Sequence, residues 1–438
     1  MKTRLKTALW LLLAGAVLAG VMASCGTKNA KTDDKVTLKV INYHVGTDFA
    51  APYFDYLFTE FVKTEAGKNV VFDFEEIPTT DAFNQKIKLL ISSGDLPDIV
   101  LTGGNNFVEM AARAGKIADL SSYFDNDPEW KGLFDPASLD YNSVGGKIYA
   151  VPTQKEVTFL YYNKELFQKA GITPPAVAWE TWEEFFAVCE AFKAKGIIPI
   201  GMDTADFGWL SNLWFSALIG TGSDAGNAWM NTFHPRNYNT PELVAAAETL
   251  QRMLANYTTA DAIGGNYDPM ATHFFNGEVA MFPNGPWMIP DFKNEEKAPA
   301  GFYEKVGVML MPKYGMSMVP SPGDMIGAKD PKKIDAAAAF LKFETTLDNQ
   351  IKALEMTGLQ PESPKVVIPD SIKRNDPLMA LVLDLQTRAR ITYGQNQIYW
   401  YQNTLDAFSL QLPELANRKL SPAAFCAKLT DAAERNED

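Results

Sequence analysis

Val36-Thr-Leu-Lys-Val-Ile-Asn-Tyr43 alternates apolar and polar side chains, a period of two that predicts a strand with one buried face. Residues 52–64 follow with apolar side chains at helical spacing. Asn69-Val-Val-Phe-Asp-Phe-Glu-Glu-Ile77 predicts a second strand, and residues 80–92 a second helix closed by Ser93-Gly94. Asp98 to Thr102 reads as a buried third strand that ends on the turn Gly103-Gly104. Strands that alternate with helices imply βαβ units, a largely parallel sheet and the α/β class.

Farther along, the pattern changes. Ser143-Val-Gly-Gly-Lys-Ile-Tyr-Ala-Val-Pro152 predicts a hairpin, and residues 157–162 form a continuous β-rich run. Helices are expected over 164–170, 182–195, 209–219 and 241–257, the last with Thr240 as N-cap ahead of Pro241. Residues 278–282 and 306–311 are strand-like. Residues 331–346 and the stretch from Pro377 onward are again helical.

The chain has 438 residues, too many for one simple core, and two domains are expected. Its net charge of −13 argues against nucleic acid as a partner. Lys2, Arg4 and Lys6 form a basic start, residues 8–21 an apolar run too short to span a bilayer comfortably, and Met22-Ala-Ser-Cys25 follows. This arrangement resembles a bacterial lipobox, which implies a signal peptide over 1–24 and acylation of Cys25. Residues 26–35 are small and polar, as a tether requires. The plainer alternative is a secretory signal with a chance cysteine. Cys189 and Cys426 fall in helical patterns and read as small buried hydrophobes; nothing in the sequence demands a disulfide between them. His44, His234 and His273 are scattered without metal-ligand spacing, so no metal or cofactor is expected.

Three segments carry a resemblance. They are Ser93-Gly-Asp-Leu-Pro-Asp-Ile-Val100; Gly146-Lys-Ile-Tyr-Ala-Val-Pro152 running to Leu160-Tyr-Tyr-Asn-Lys-Glu-Leu-Phe167 and Trp179-Glu-Thr-Trp-Glu-Glu-Phe185; and Phe275-Asn-Gly-Glu-Val-Ala-Met281 running to Asn284-Gly-Pro-Trp287. In this order they resemble the family 1 extracellular solute-binding proteins, the group of maltodextrin-binding protein. The resemblance implies the two-lobed periplasmic-binding fold (type II), with hinge-linked discontinuous domains. Crossings would fall near 152–158, 319–321 and 364–370. One lobe would take 36–155 plus 320–367, the other 156–319 plus 368–438. It further implies a monomeric, lipid-anchored, exported protein that captures a sugar, in particular an oligosaccharide, and passes it to the permease of an ABC importer.

A sugar offers apolar C–H faces and hydroxyls that both donate and accept, so its site needs aromatic platforms beside carboxylates and amides. Trp287, freed from a regular element by Gly285-Pro286, matches a family cleft tryptophan and is the first candidate platform. Glu156 matches a family carboxylate near the first crossing, in an apolar stretch where an unpartnered charge is costly. Asn105 and Asn106 lie past the third strand, at the sheet edge where ligands bind α/β proteins. They replace charged contacts of maltodextrin-binding protein, and Thr102 replaces an aromatic platform, which puts maltodextrin itself in doubt. Trp400, in Ile398-Tyr-Trp-Tyr401, aligns with another family tryptophan; such a run cannot face one side, so at least one ring is expected to reach the cleft, the alternative being that all three pack at the base of the lobe. Trp209 and Asn212, and Tyr43, His44 and Asp48, complete the candidates.

A lipid-anchored glycosidase is the rival from another class, and would need two opposed carboxylates of separated pKa. The matched segments supply one, Glu156, among aromatics and amides. A polyamine-binding protein of the same fold would need more carboxylates than these candidates contain.

Overall fold

The structure is a computed structural model that describes residues 35–77, 80–102, 106–205 and 207–436. The candidates Cys25 and Asn105 lie outside the described residues, as does the leader. No described helix is long and apolar enough to cross a membrane.

The opening strand spans Val36–Asn42 and pairs in parallel with Val70–Glu76, Val36 opposite Val70, and on its other side with Ile99–Val100. Asp324–Met325 and then Ala150–Val151 complete this five-stranded sheet, both antiparallel to their neighbours. The period of two decides the packing. Leu38 and Val40 face a core with Phe54, Leu57, Phe61 and Phe340, whereas Ile41 and Val100 face a second with Phe83, Ile87 and Ile91. Helices Ala51–Phe61 and Pro331–Glu344 cover the first face, and Thr80–Ser93 the second.

A second sheet has the order Ile391–Tyr393, Gly315–Pro320, Gln154–Asn163, Val279–Asn284, Ile198–Ile200. Here the expectation of a largely parallel sheet gives way. Gln154–Asn163 runs antiparallel to four segments, because the chain enters this lobe as one long strand rather than through βαβ units. Its alternating side chains again divide two cores: Leu160 packs with Phe185, Trp214, Leu250 and Phe408, and Phe159 and Tyr161 with Phe274, Phe292 and Phe302. Helix Pro241–Asn256 starts as its sequence requires, with Pro241 in the first turn and the Thr240 hydroxyl accepting from the Leu243 N–H. Cys189 and Cys426 are free thiols buried in the first of these cores, where desolvation pushes both upward in pKa.

Three segments lie side by side where the sheets meet. Lys155 of the long strand is opposite Pro320 on one side and Gln360 on the other. Beyond Pro361 the chain touches the first lobe again: Glu362 accepts from the Asp135 N–H, and the Ser363 N–H donates to Gln350.

Away from these strands, further contacts join the lobes. Lys88, on a helix of the first lobe, lies 3.5 Å from Asp406 on helix Gln402–Ala416 of the second. Glu109 lies 3.3 Å from the His234 ring, and the Tyr141 hydroxyl donates to the Ile398 carbonyl at 3.2 Å. An exposed ion pair contributes only about 0.2–1 kcal/mol. Lys88→Glu, which turns attraction into repulsion, is therefore expected to weaken ligand affinity by about two- to tenfold and leave the melting temperature of the ligand-free protein within about 2 °C of wild type. Titration calorimetry and a thermal melt check both halves, and unchanged affinity would show that the pair does not bias the lobes.

Candidate ligand cleft

Between the lobes lies a cavity of about 980 Å³, at the upper end of the range for small-molecule sites. The first lobe, the crossing segments and the second lobe each supply part of its wall.

The second lobe provides the aromatic surface. Strand Val279–Asn284 ends where Gly285-Pro286-Trp287 begins, and Trp287 is half-buried beside Trp209, with ring centroids 6.2 Å apart and tilted by 47°. Phe207 meets Trp209 edge-on at 6.4 Å. Each ring is held from behind. Trp209 opens helix Trp209–Gly222, whose first free N–H groups, those of Leu210 and Ser211, donate to the buried Asp203 carboxylate. Gly208 takes the left-handed conformation (φ +56°) that lets the chain turn into this helix. Asn284 accepts from the Trp209 indole N–H at 3.4 Å and donates to the Tyr267 hydroxyl at 2.9 Å. From beneath, the Tyr161 hydroxyl donates to the Gly285 carbonyl at 3.0 Å.

Gly285 has no room for a side chain, because a β-carbon there would overlap the Trp287 ring. Gly285→Ala is accordingly expected to displace that ring and weaken ligand binding by about tenfold, a loss of about 1.4 kcal/mol. The test is a calorimetric titration of the variant, with the near-ultraviolet tryptophan signal as the report on ring position; an unshifted signal with full affinity would refute the argument.

The first lobe supplies a smaller platform and polar groups. After strand Val36–Asn42, the Asn42 carboxamide bridges both the N–H and the carbonyl of His44, fixing the turn. The His44 ring stacks on Phe54 at 4.8 Å, and its Nδ1 lies 2.7 Å from Asp48, whose carboxylate also accepts from the Ala50 N–H. Glu344, Gln350 and Ala353 line the wall beside Tyr53.

The crossing segments add Gln154, Glu156 and Gln360. Glu156 is buried in the long strand, with the Ser321 hydroxyl at 3.5 Å as its hydrogen-bond partner. Desolvation raises its pKa to about 8, so it is a neutral acid at pH 7. Burial likewise lifts Asp324, which accepts from the Thr102 N–H, to about 7, and pushes Glu344 well above the usual carboxylate range.

Residues 57–380 of the chain match the family of bacterial extracellular solute-binding proteins. The chain belongs to this family. Among curated relatives, the solute-binding protein is 26% identical over 377 residues to the multiple sugar-binding protein of Streptococcus mutans, covering 82% of this chain and 83% of that one. Its fold matches a solved chitin oligosaccharide binding protein with a TM-score of 0.79 at 23% identity, over 92% of this chain and 98% of that chain. It also matches a Streptococcus pneumoniae solute-binding protein in complex with the blood group A-trisaccharide, with a TM-score of 0.75 at 21% identity, over 90% and 99% of the two chains.

Of the residues singled out from sequence, Trp287, Trp209, Glu156, Tyr43, His44 and Asp48 line the cleft of the solute-binding protein. Three others stand elsewhere. Trp400 is buried in the second-lobe core, edge-on to Tyr238 at 4.7 Å and near Phe215 and Phe408. Neither Tyr399 nor Tyr401 takes its place at the cleft, since they pack against Phe233 and His234; Gln397 lines the wall instead. Asn212 is buried one helical turn before Ser216, whose hydroxyl bonds Asn396, and does not reach the cavity. Asn106 is half-buried outside the lining.

Sequence reasoning missed Asp203, Tyr267, Asn284, Asp291, Gln350 and Glu344. Glu344 carried a readable signal. It falls on the same stripe as Ala337, Phe340 and Leu341, so an acid occupies a position that the helical period assigns to the core.

Proposed function

We propose that this solute-binding protein captures an oligosaccharide between its lobes and delivers it, chemically unchanged, to the permease of an ABC importer. The observation that carries the reading is the paired indoles of Trp287 and Trp209, facing a wall of side-chain amides and neutral acids. Indole faces cover the C–H surfaces of a pyranose, while amides and protonated carboxyls each match a hydroxyl that donates and accepts. The names of its relatives, a multiple sugar-binding protein and oligosaccharide-binding structures, support the same ligand class. The lobes comprise residues 36–155 plus 320–367 and 156–319 plus 368–438, and ligand bridging them supplies the free energy that favours closure. Acyl chains on Cys25 hold the monomer at the membrane through residues 25–35, on the outer face of the cell membrane or its periplasmic side.

A thermal melt of the chain from residue 26 onward, with a panel of mono- and oligosaccharides, tests this function. A micromolar ligand at millimolar concentration should stabilise by about 4 kcal/mol. A shift by one saccharide with its reducing-end count unchanged supports the reading; consumption of that sugar would make the protein a glycosidase. Absence of any saccharide shift would refute the ligand class.

A further inference from the structure

Among the described residues, seven carboxylates line the cleft: Asp48, Glu156, Asp203, Asp268, Asp291, Glu296 and Glu344. Lys297 is the sole lysine or arginine among the described lining residues, and Asp291 holds its ammonium at 2.8 Å. Buried Asp203 accepts from the Leu210 and Ser211 N–H groups, whereas Glu344 and Glu156 are buried with neither a cationic partner among the described ion pairs nor a short hydrogen bond. Glu344, 3% exposed, has its Oε2 without any hydrogen-bond partner, and Glu156 has a single long contact of 3.5 Å to Ser321. An unpaired buried acid is costly, and the group that would remove that cost is a cation with several N–H donors. A hydroxyl meets such an acid only in its neutral form, whereas an ammonium forms the stronger charge-assisted hydrogen bond with the ionised acid and also suits a wall whose remaining carboxylates have one lysine among them.

We propose that the captured saccharide is an oligomer of amino sugars, one of whose ammonium groups sits against Glu344 and another against Glu156. This inference rests on the saccharide reading above. The titratable groups near these two acids are Tyr43, Tyr53, Tyr141, Asp324 and the His44–Asp48 pair; none supplies a free positive charge, because His44 is engaged by Asp48. Burial favours the protonated form of each acid when the cleft is empty, so an ammonium that arrives at one of them ionises that acid and its proton passes to the buffer.

The experiment is titration calorimetry at pH 7, in two buffers of different ionisation enthalpy, with length-matched oligosaccharides of glucosamine, N-acetylglucosamine, glucose and glucuronic acid, and with spermidine as a sugar-free polyamine. The expected result is that the glucosamine series binds at least about tenfold tighter than the neutral series, with a buffer-dependent enthalpy that reports proton release. Glu344→Gln and Glu156→Gln should each reduce the ratio of glucosamine-series to glucose-series affinity and the proton release. If neutral sugars bind as tightly as the glucosamine series, with no proton release, the inference falls and the saccharide reading stands. If the glucuronic series binds best, the inference falls as well. If only a sugar-free polyamine binds, both fall.

Discussion

Trp287→Ala is expected to weaken saccharide binding by about 30- to 1,000-fold, because an aromatic anchor in a desolvated pocket is worth about 2–4 kcal/mol. The ring is half-buried, and its support comes from Gly285, Asn284 and Tyr161 rather than from the hydrophobic cores. The fold should therefore survive the change, and the ligand-free melting temperature should stay near that of the wild type. Trp287→Phe keeps a flat face and should recover most of the loss. Calorimetry on both variants checks this; equal, small losses would move the platform elsewhere, with Trp209 the next to test.

The second large effect is on stability, and its sign follows from the buried acids. Glu156 has a folded-state pKa of about 8 against an ordinary 4.5, Asp324 about 7 against 3.8 and Glu362 about 7 against 4.5. Between the ordinary and the raised value, such a group binds its proton when folded and releases it when unfolded. Its stabilising contribution is thus complete below the ordinary carboxylate pKa and is lost as pH rises to the raised one. Each group removes about 1.4 kcal/mol per pH unit inside its window. Urea unfolding of the ligand-free protein should show the stability falling by several kcal/mol from pH 5 to pH 8. Glu156→Gln should flatten this slope and leave the variant more stable than wild type at pH 8. A flat or rising wild-type profile would mean that water or a cation already satisfies these acids.

The first sheet was legible because its strands advertise themselves by period. Val36–Asn42 and Val70–Glu76 differ from the sequence reading by a residue or two at their ends. Ile198–Ile200 and Ile391–Tyr393 went unread, since three residues are too few to establish a period. At the site, Trp287 could be picked out because glycine and proline before it end the strand Val279–Asn284, although it stands in the single 3₁₀ turn Pro286–Met288 and not outside regular structure. Trp400 misled for an equally physical reason. A Tyr-Trp-Tyr run tells that its rings diverge but not which one turns inward, and the answer depended on Tyr238, Phe215 and Phe408, remote in sequence. Asp203 was hidden for a related reason: its role is to hold the start of the helix that presents Trp209, and only the three-dimensional arrangement brings its carboxylate to those N–H groups.

The place of Asp324–Met325 in the first sheet has a consequence for how the protein is made. This short strand sits between Ile99–Val100 and Ala150–Val151, so the sheet has a gap in it until the whole of the second lobe's Gln154–Pro320 stretch has been synthesised. The first lobe therefore cannot complete its sheet from the N-terminal stretch alone, and the contacts that close it are among the most distant in sequence, which slows folding. For a chain of an extracellular family this delay is an advantage: a polypeptide that has not closed its first sheet is still thin enough to be threaded across a membrane, and it acquires its shape on the far side.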